Sequence, residues 1–140
     1  MADITRSTSP VPSLATRPSD VKATNQIQGP PGEALAAGDM VYRKASDDKL
    51  YKANGTAATA PALALGMVLR DADVGEDSVT AYHGVEVYYA PAANLTNKDR
   101  LYVSATAGNL ADAATTGGTV PVAIVTDDSK GIIYVMHPTL

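Results

Sequence analysis

Apolar residues in this chain come in short runs alternating with polar ones, and the runs are cut by clusters of Gly, Asn, Asp and Ser. From Gly32 onward this period-two pattern predicts strands at 39–44, 50–53, 63–70, 78–83, 85–90, 100–105, 120–126 and 132–136. Turns fall at Asp47-Asp48, Asn54-Gly55, Asp73-Val74-Gly75, Gly108-Asn109, Gly117-Gly118 and Ser129-Lys130-Gly131, residue types that bond their own backbone or tolerate unusual φ. A brief helical turn is expected at 35–37. No stretch sustains the 3.6-residue spacing of a long helix.

The opening segment follows a different rule. Pro10, Pro12 and Pro18, followed by Pro30 and Pro31, fix φ and bias their predecessors towards extended backbone. Between them lie isolated aliphatics, Ile4, Val11, Leu14, Val21 and Ile27. Such a stretch reads either as a disordered terminus or as an arm that adds a strand to another subunit's sheet edge. The regular spread of aliphatics favours the arm, because a plain spacer needs none. The expected organisation is an extended arm over 1–28 and one β domain over 29–140.

The β domain repeats itself. With 31–53 placed above 91–113, Pro31/Pro91, Leu35/Leu95, Asp39/Asp99, Tyr42/Tyr102, Leu50/Leu110 and Ala53/Ala113 coincide without a gap. After a shift of about three residues, "LGMVLRDADVGEDSVTAYHG" lies above "VAIVTDDSKGIIYVMHP". The pseudo-repeats are thus about 31–84 and 91–137, joined through 85–90. One copy would leave its apolar face bare, so the two must pack on each other. The fold class expected is all-β: a small pseudo-twofold β-barrel or sandwich with an extended N-terminal arm.

Composition adds constraints. The chain has 140 residues, no Phe, Trp or Cys, and seven tyrosines. Aliphatics must therefore fill the core, and disulfides and thiolate chemistry are excluded. A net charge of −4 and a pI near 4.9 argue against nucleic acid as a partner. No apolar run is long enough for a membrane span, and no signal-peptide pattern opens the chain.

Candidate chemistry is sparse. Asp127-Asp128-Ser129-Lys130 gathers carboxylates, a hydroxyl and an amine, but it occupies the same place in its repeat as the acidic turn around Asp71 and Asp73. A feature present at both equivalent turns is explained by what turns require. His83 and His137, with Asp127 or Glu86, form the one conceivable metal or hydrolase set, and their spacing matches no motif. Tyr82, Tyr88 and Tyr89 offer a stacking surface for a glycan, although adjacent strand residues face opposite ways. Lys49 lacks the flanking residues of a lipoyl- or biotin-carrying lysine. No phosphate-binding loop is present, and no cofactor is expected.

The repeated unit carries a resemblance. "GEALAAGDMVYRKASDDKLYKANG" through "DSVTAYHGVEV", followed by "NLTNKDRLYVSATAGNLADA" and "VPVAIVTDDSKGIIYVM", resembles the capsid decoration, or cement, proteins of tailed bacteriophages. The likeness covers about 32–136, and the second copy departs from it at Lys98-Asp99, where Gly-Asp would stand. It implies a small lambda-type β body that forms homotrimers on the outer surface of the expanded capsid, bound to the major capsid protein. It also implies no enzymatic activity, with Ile4, Val11, Pro12, Leu14, Pro18, Val21 and Ile27 as the capsid-binding arm. On that reading, deleting 7–28 leaves a folded trimer that no longer coats heads. The alternative is a surface-displayed glycan- or receptor-binding module.

Overall fold

The computed structural model describes residues 3–7, 12–56, 59–91, 94–95 and 100–136. Among the described residues eleven strands follow one another as β1 (Ser13–Leu14), β2 (Gln26–Gly29), β3 (Met40–Arg43), β4 (Leu50–Lys52), β5 (Gly66–Val68), β6 (Val79–Tyr82), β7 (Val85–Tyr88), β8 (Arg100–Val103), β9 (Leu110–Ala111), β10 (Ala123–Asp127) and β11 (Ile132–Val135). Helical structure among the described residues is confined to 3₁₀ turns, at Pro18–Asp20, Ala23–Asn25 and Ala60–Ala62 and at Asn94. None of these is long enough to cross a membrane.

The strands form two antiparallel sheets in a sandwich-like arrangement. One has the order β2-β6-β5-β3-β4, the other β1-β7-β11-β10-β8-β9. With β1 set aside, the two orders are the same if each strand of the first sheet is matched to the strand five later. Register agrees residue by residue. Gln26 faces Tyr82 as Glu86 faces Tyr134, and Ile27 faces Ala81 as Val87 faces Ile133. Met67 then lies between Tyr82 and Met40 as Ile124 lies between Tyr134 and Arg100. Tyr42 faces Tyr51 as Tyr102 faces Ala111.

Duplication is therefore real in three dimensions, but its boundaries move. The repeat begins at β2 and β7, before the Pro31 and Pro91 positions read from sequence, and 85–90 is the first strand of the second copy and not a joint between copies. A division at residue 28 cuts through β2. The expected helical turn at 35–37 is instead a β-turn. Leu35 bridges Ala72, the Asp39 N–H donates to Ala36 O, and Gly38 takes φ +96°.

Alternation along the strands sorts side chains into two cores. Val41, Leu50, Val68, Val79 and Ala81 pack with Leu35 and Ala72 inside the curl of the first sheet. Their neighbours Met40, Met67 and Ala53 turn the other way and join Val85, Val87, Leu101, Val103, Leu110, Ala123, Ile133 and Val135 of the second sheet. The first sheet thus carries apolar residues on both faces, one face closing on itself and one welding the halves together. Each fully buried Val, Leu, Ile or Met stabilises the fold by about 1.5–3 kcal/mol before chain entropy is subtracted. Backbone bonds reinforce the weld: Met40 N–H to Gly108 O (2.9 Å), Gly108 N–H to Ala53 O (2.8 Å) and Gly55 N–H to Ser104 O (2.8 Å).

Edge strands are handled differently in the two halves. Beyond β2, Pro31 bridges Leu50, with Leu50 N–H donating to Pro30 O and Gly32 N–H to Leu50 O, so the first sheet covers its β4 edge with its own continuation. The second sheet uses the N-terminal segment for this. Asp3 bridges Ala111, Ile4 N–H donates to Leu110 O, and Ser7 N–H donates to Tyr89 O. Further on, β1 pairs antiparallel with β7, Ser13 opposite Tyr88 and Leu14 opposite Val87. One segment thus serves both the β9 and the β7 edges, which would otherwise present unpaired N–H and C=O groups.

Candidate functional site

The segment expected to reach for another molecule lies on its own body. Ile4 is buried in the main core, Leu14 and Val21 pack half-buried against it, Pro12 is buried, and Ile27 is a half-buried residue within β2. Pro18 begins a 3₁₀ turn, and Val11 lies outside the described residues. The arm's described residues form short strands at Ser13–Leu14 and Gln26–Gly29 and 3₁₀ turns at Pro18–Asp20 and Ala23–Asn25. Its separation from the domain is not found, because its aliphatics have a core to fill at home. Deleting 7–28 removes β1 and all of β2 but Gly29, and with them the pairing to β7 and β6.

The polar heart of this seam is a set of side chains that latch the segment down. Arg6 Nη2 donates to Asp39 Oδ1 at 2.6 Å, and the Ala36 N–H donates to Asp39 Oδ2 at 2.8 Å. Asp39 is only 1% exposed and Arg6 22%, so this charge-assisted pair is well shielded from water. Space is tight: a Cβ at Gly108, which takes φ +84°, would stand 2.6 Å from Asp39 Oδ1. Asp3 accepts from the Ser104 hydroxyl and, at 3.4 Å, from Asn109 Nδ2. Partial burial opposes ionisation of Asp3, but the hydrogen bonds from Ser104, Thr106 and Asn109 outweigh it and hold the carboxyl below its ordinary range.

Two atoms of the seam stay without a hydrogen bond. Arg6 Nη1 and Tyr89 Oη are both buried with no partner among the described residues. Burial pushes the Tyr89 hydroxyl up to about 12, partly countered by the positive charge of Arg6. The Leu110 backbone also lies close enough to pull it down a little, but the hydroxyl makes no well-formed hydrogen bond among the described residues, so little of its desolvation cost is given back. Tyr89→Phe is therefore expected to leave stability unchanged or raise it by about 1 kcal/mol, against the usual loss for a core change. Urea unfolding of the two proteins measures it, and a loss above that size would mean that the hydroxyl is satisfied in solution.

The remaining sequence candidates do not converge. Asp127 accepts from the Ser129 hydroxyl (2.6 Å) and the Lys130 N–H (3.2 Å), and Gly131 takes φ +74°. The Ser129 bond comes first in lowering the Asp127 carboxyl. The DDSK stretch is a turn that caps itself, following a register shift in β10 between Val125 and Asp127. His83 is buried, with its N–H on Asn25 O; His137 lies outside the described residues. Glu86 accepts from Thr126 Oγ1 at 3.0 Å. Among the described residues no three His, Asp or Glu side chains could share a metal. Tyr89 is fully buried and cannot stack on a ligand, Tyr82 packs half-buried against the core, and Tyr88 is 45% exposed. Lys49 sits in the β3–β4 hairpin, where Asp48 adopts φ +62°.

Sequence reading missed a different aromatic feature. Tyr42 and Tyr51, directly opposite on β3 and β4, place their rings 6.2 Å apart, and Lys44 Nζ sits 5.0 Å from the Tyr51 ring centre. Tyr51 Oη donates to Asp47 Oδ2 at 2.6 Å, a bond that lowers the carboxyl and raises the phenol. The signal lay in the hairpin arithmetic around Asp47-Asp48, which places these two positions face to face. Neither a protein-family model nor a curated protein matches this chain.

Proposed function

We propose that this chain is a capsid decoration protein that binds the outer surface of an expanded phage head as a homotrimer and cross-links major capsid subunits. The observation that carries the reading is the duplication. The "Gly-Asp-hydrophobic-Tyr" unit at Gly38–Tyr42 turns into β3 through a positive-φ glycine and an Asp39 side chain that caps the Ala36 N–H. Its counterpart Tyr102 takes the same place in β8 of the second sheet. The result is a body whose β4, β7 and β9 edges are tied up within its own fold, suited to gripping a surface as a rigid plug.

The folded state of the N-terminal segment changes how such a plug grips. Ile4 and Leu14 are occupied by the body, so the contact passes to apolar side chains that the fold leaves outside: Leu63 at 70% exposure, Val120 at 66% and Val74 at 62%. Burying them against a shell gains about 25 cal/mol per Å² of apolar surface, and three copies per trimer multiply the effect through effective concentration. Leu63→Asp and Val120→Asp are expected to fold and to sediment as wild type, yet to lose at least about tenfold in affinity for expanded heads of the phage that encodes the chain. Co-sedimentation with those heads reads the occupancy. Wild-type coating by the double variant, or a wild-type chain that sediments as a monomer and ignores expanded heads, defeats the proposal.

A further inference from the structure

The dipeptide Asn54-Gly55 has a chemistry that neither the fold nor the proposed binding role uses. In an open chain, the Gly55 amide nitrogen, once deprotonated, attacks Asn54 Cγ. The bond to the side-chain nitrogen breaks, ammonia leaves and a cyclic imide forms. Water then opens the ring at either carbonyl, giving aspartate or isoaspartate. Glycine makes this easy because no side chain shields the attacking nitrogen, which is one reason asparagine is a thermolabile residue.

Here every group needed for the attack is engaged. The Gly55 N–H donates to Ser104 O, the Asn54 N–H to Pro61 O and the Gly117 N–H to Gly55 O, each at 2.8 Å. Asn54 Oδ1 accepts from the Thr56 N–H at 2.8 Å, which pins the side chain away from rotation. Thr115, buried on the same spot, donates from Oγ1 to Val103 O at 2.9 Å and accepts the Gly118 N–H at 2.7 Å. Packing also dictates the glycine. A Cβ at position 55 would lie 2.3 Å from Thr115 Oγ1 and 2.5 Å from the Val103 carbonyl oxygen. The sequence therefore cannot escape the reactive pair by enlarging residue 55.

We propose that Asn54 is a deamidation site held shut by the clamp between the two halves, so that its modification records each opening of that clamp and makes the opening permanent. Isoaspartate inserts an extra carbon into the main chain between residues 54 and 55. Gly55 can then no longer reach Ser104 and Gly117 together, and the weld between the sheets does not re-form. This inference stands apart from the capsid reading and holds for the isolated chain.

The test incubates the full chain in mildly alkaline buffer, folded and in concentrated urea, and quantifies aspartate and isoaspartate at position 54 by peptide mass spectrometry. The unfolded chain is expected to react at least about tenfold faster than the folded one, since a local opening must precede attack. Thr115→Ala, which removes the clamp's side-chain bonds, is expected to speed the folded-state reaction several-fold. In parallel, amide hydrogen exchange at Gly55 should rise in step, measured in wild type across sub-denaturing urea, so the test survives if Thr115→Ala does not fold. Equal rates in folded and unfolded chain, or reaction that does not follow Gly55 exchange, overturn the proposal.

Discussion

Ile4→Ala is expected to lower the unfolding free energy by about 3 kcal/mol, a core-sized loss from the fourth residue of the chain. Ile4 is 4% exposed and packs in the same cluster as Leu101, Leu110 and Ile133. Its N–H is tied to Leu110 O, so the backbone cannot easily shift to refill the space. Truncation leaves a cavity bounded by strands of the second sheet, and cavities that cannot collapse fall in the upper part of the large-to-small range. Urea unfolding followed by circular dichroism measures the change. Val74→Ala, at an exposed position, serves as the control and should stay within about 0.5 kcal/mol of wild type. An Ile4→Ala change as small as that control's would show that the segment does not lie in the core in solution.

Asp39→Ala is expected to cost about 3 kcal/mol, and to cost it through the same seam. Asp39 joins two elements: its Oδ2 holds the turn before β3 through the Ala36 N–H, and its Oδ1 holds Arg6 of the N-terminal segment. Removing it leaves a guanidinium whose Nη1 already lacks a partner among the described residues. Arg6 keeps some exposure, so water repays part of the loss, and the lower end of the range for a broken buried pair applies. A double-mutant cycle with Arg6→Ala separates pair from packing, and a coupling of about 1–2 kcal/mol is expected. Amide exchange adds a local readout. In Asp39→Ala the Ile4 and Ser7 N–H groups should exchange faster, while those of β10 and β11 keep their protection. Additive single losses would mean that the pair contributes nothing of its own.

Both predictions concern residues whose partners are invisible in the linear pattern. Ile4 reads as an anchor for another subunit and Asp39 as a repeated position matched by Asp99, and neither reading points to Leu110 or to Arg6. The strands themselves were legible: β3, β4, β5, β6, β7, β8 and β11 lie within the spans that alternation and turn residues mark out, and β10 overruns its span by one residue. Three were not. β1, β2 and β9 are two to four residues long, too short for local periodicity to show; β1 and β2 also gain their pairing from partners far away in the chain, while β9 pairs with its neighbour β8. The DDSK turn was correctly read because turn chemistry is local: Ser129 and Lys130 bond Asp127 two and three residues away.

Composition alone excludes disulfide and thiolate chemistry. Self-similarity follows from the order of residues alone, and with it come the all-β class and the duplicated unit. These depend on which side chains recur at which spacing, and spacing is written in the chain. Where the duplicate begins, which edges stay open and what the first residues do depend on long-range pairing: Gln26 with Tyr82, Ile4 with Leu110, Arg6 with Asp39. A free strand edge and an apolar gap exist only after the sheets have formed. Residues 3–7 and 12–16 become an integral strap, and not a loose extension, because folding creates the place they fill.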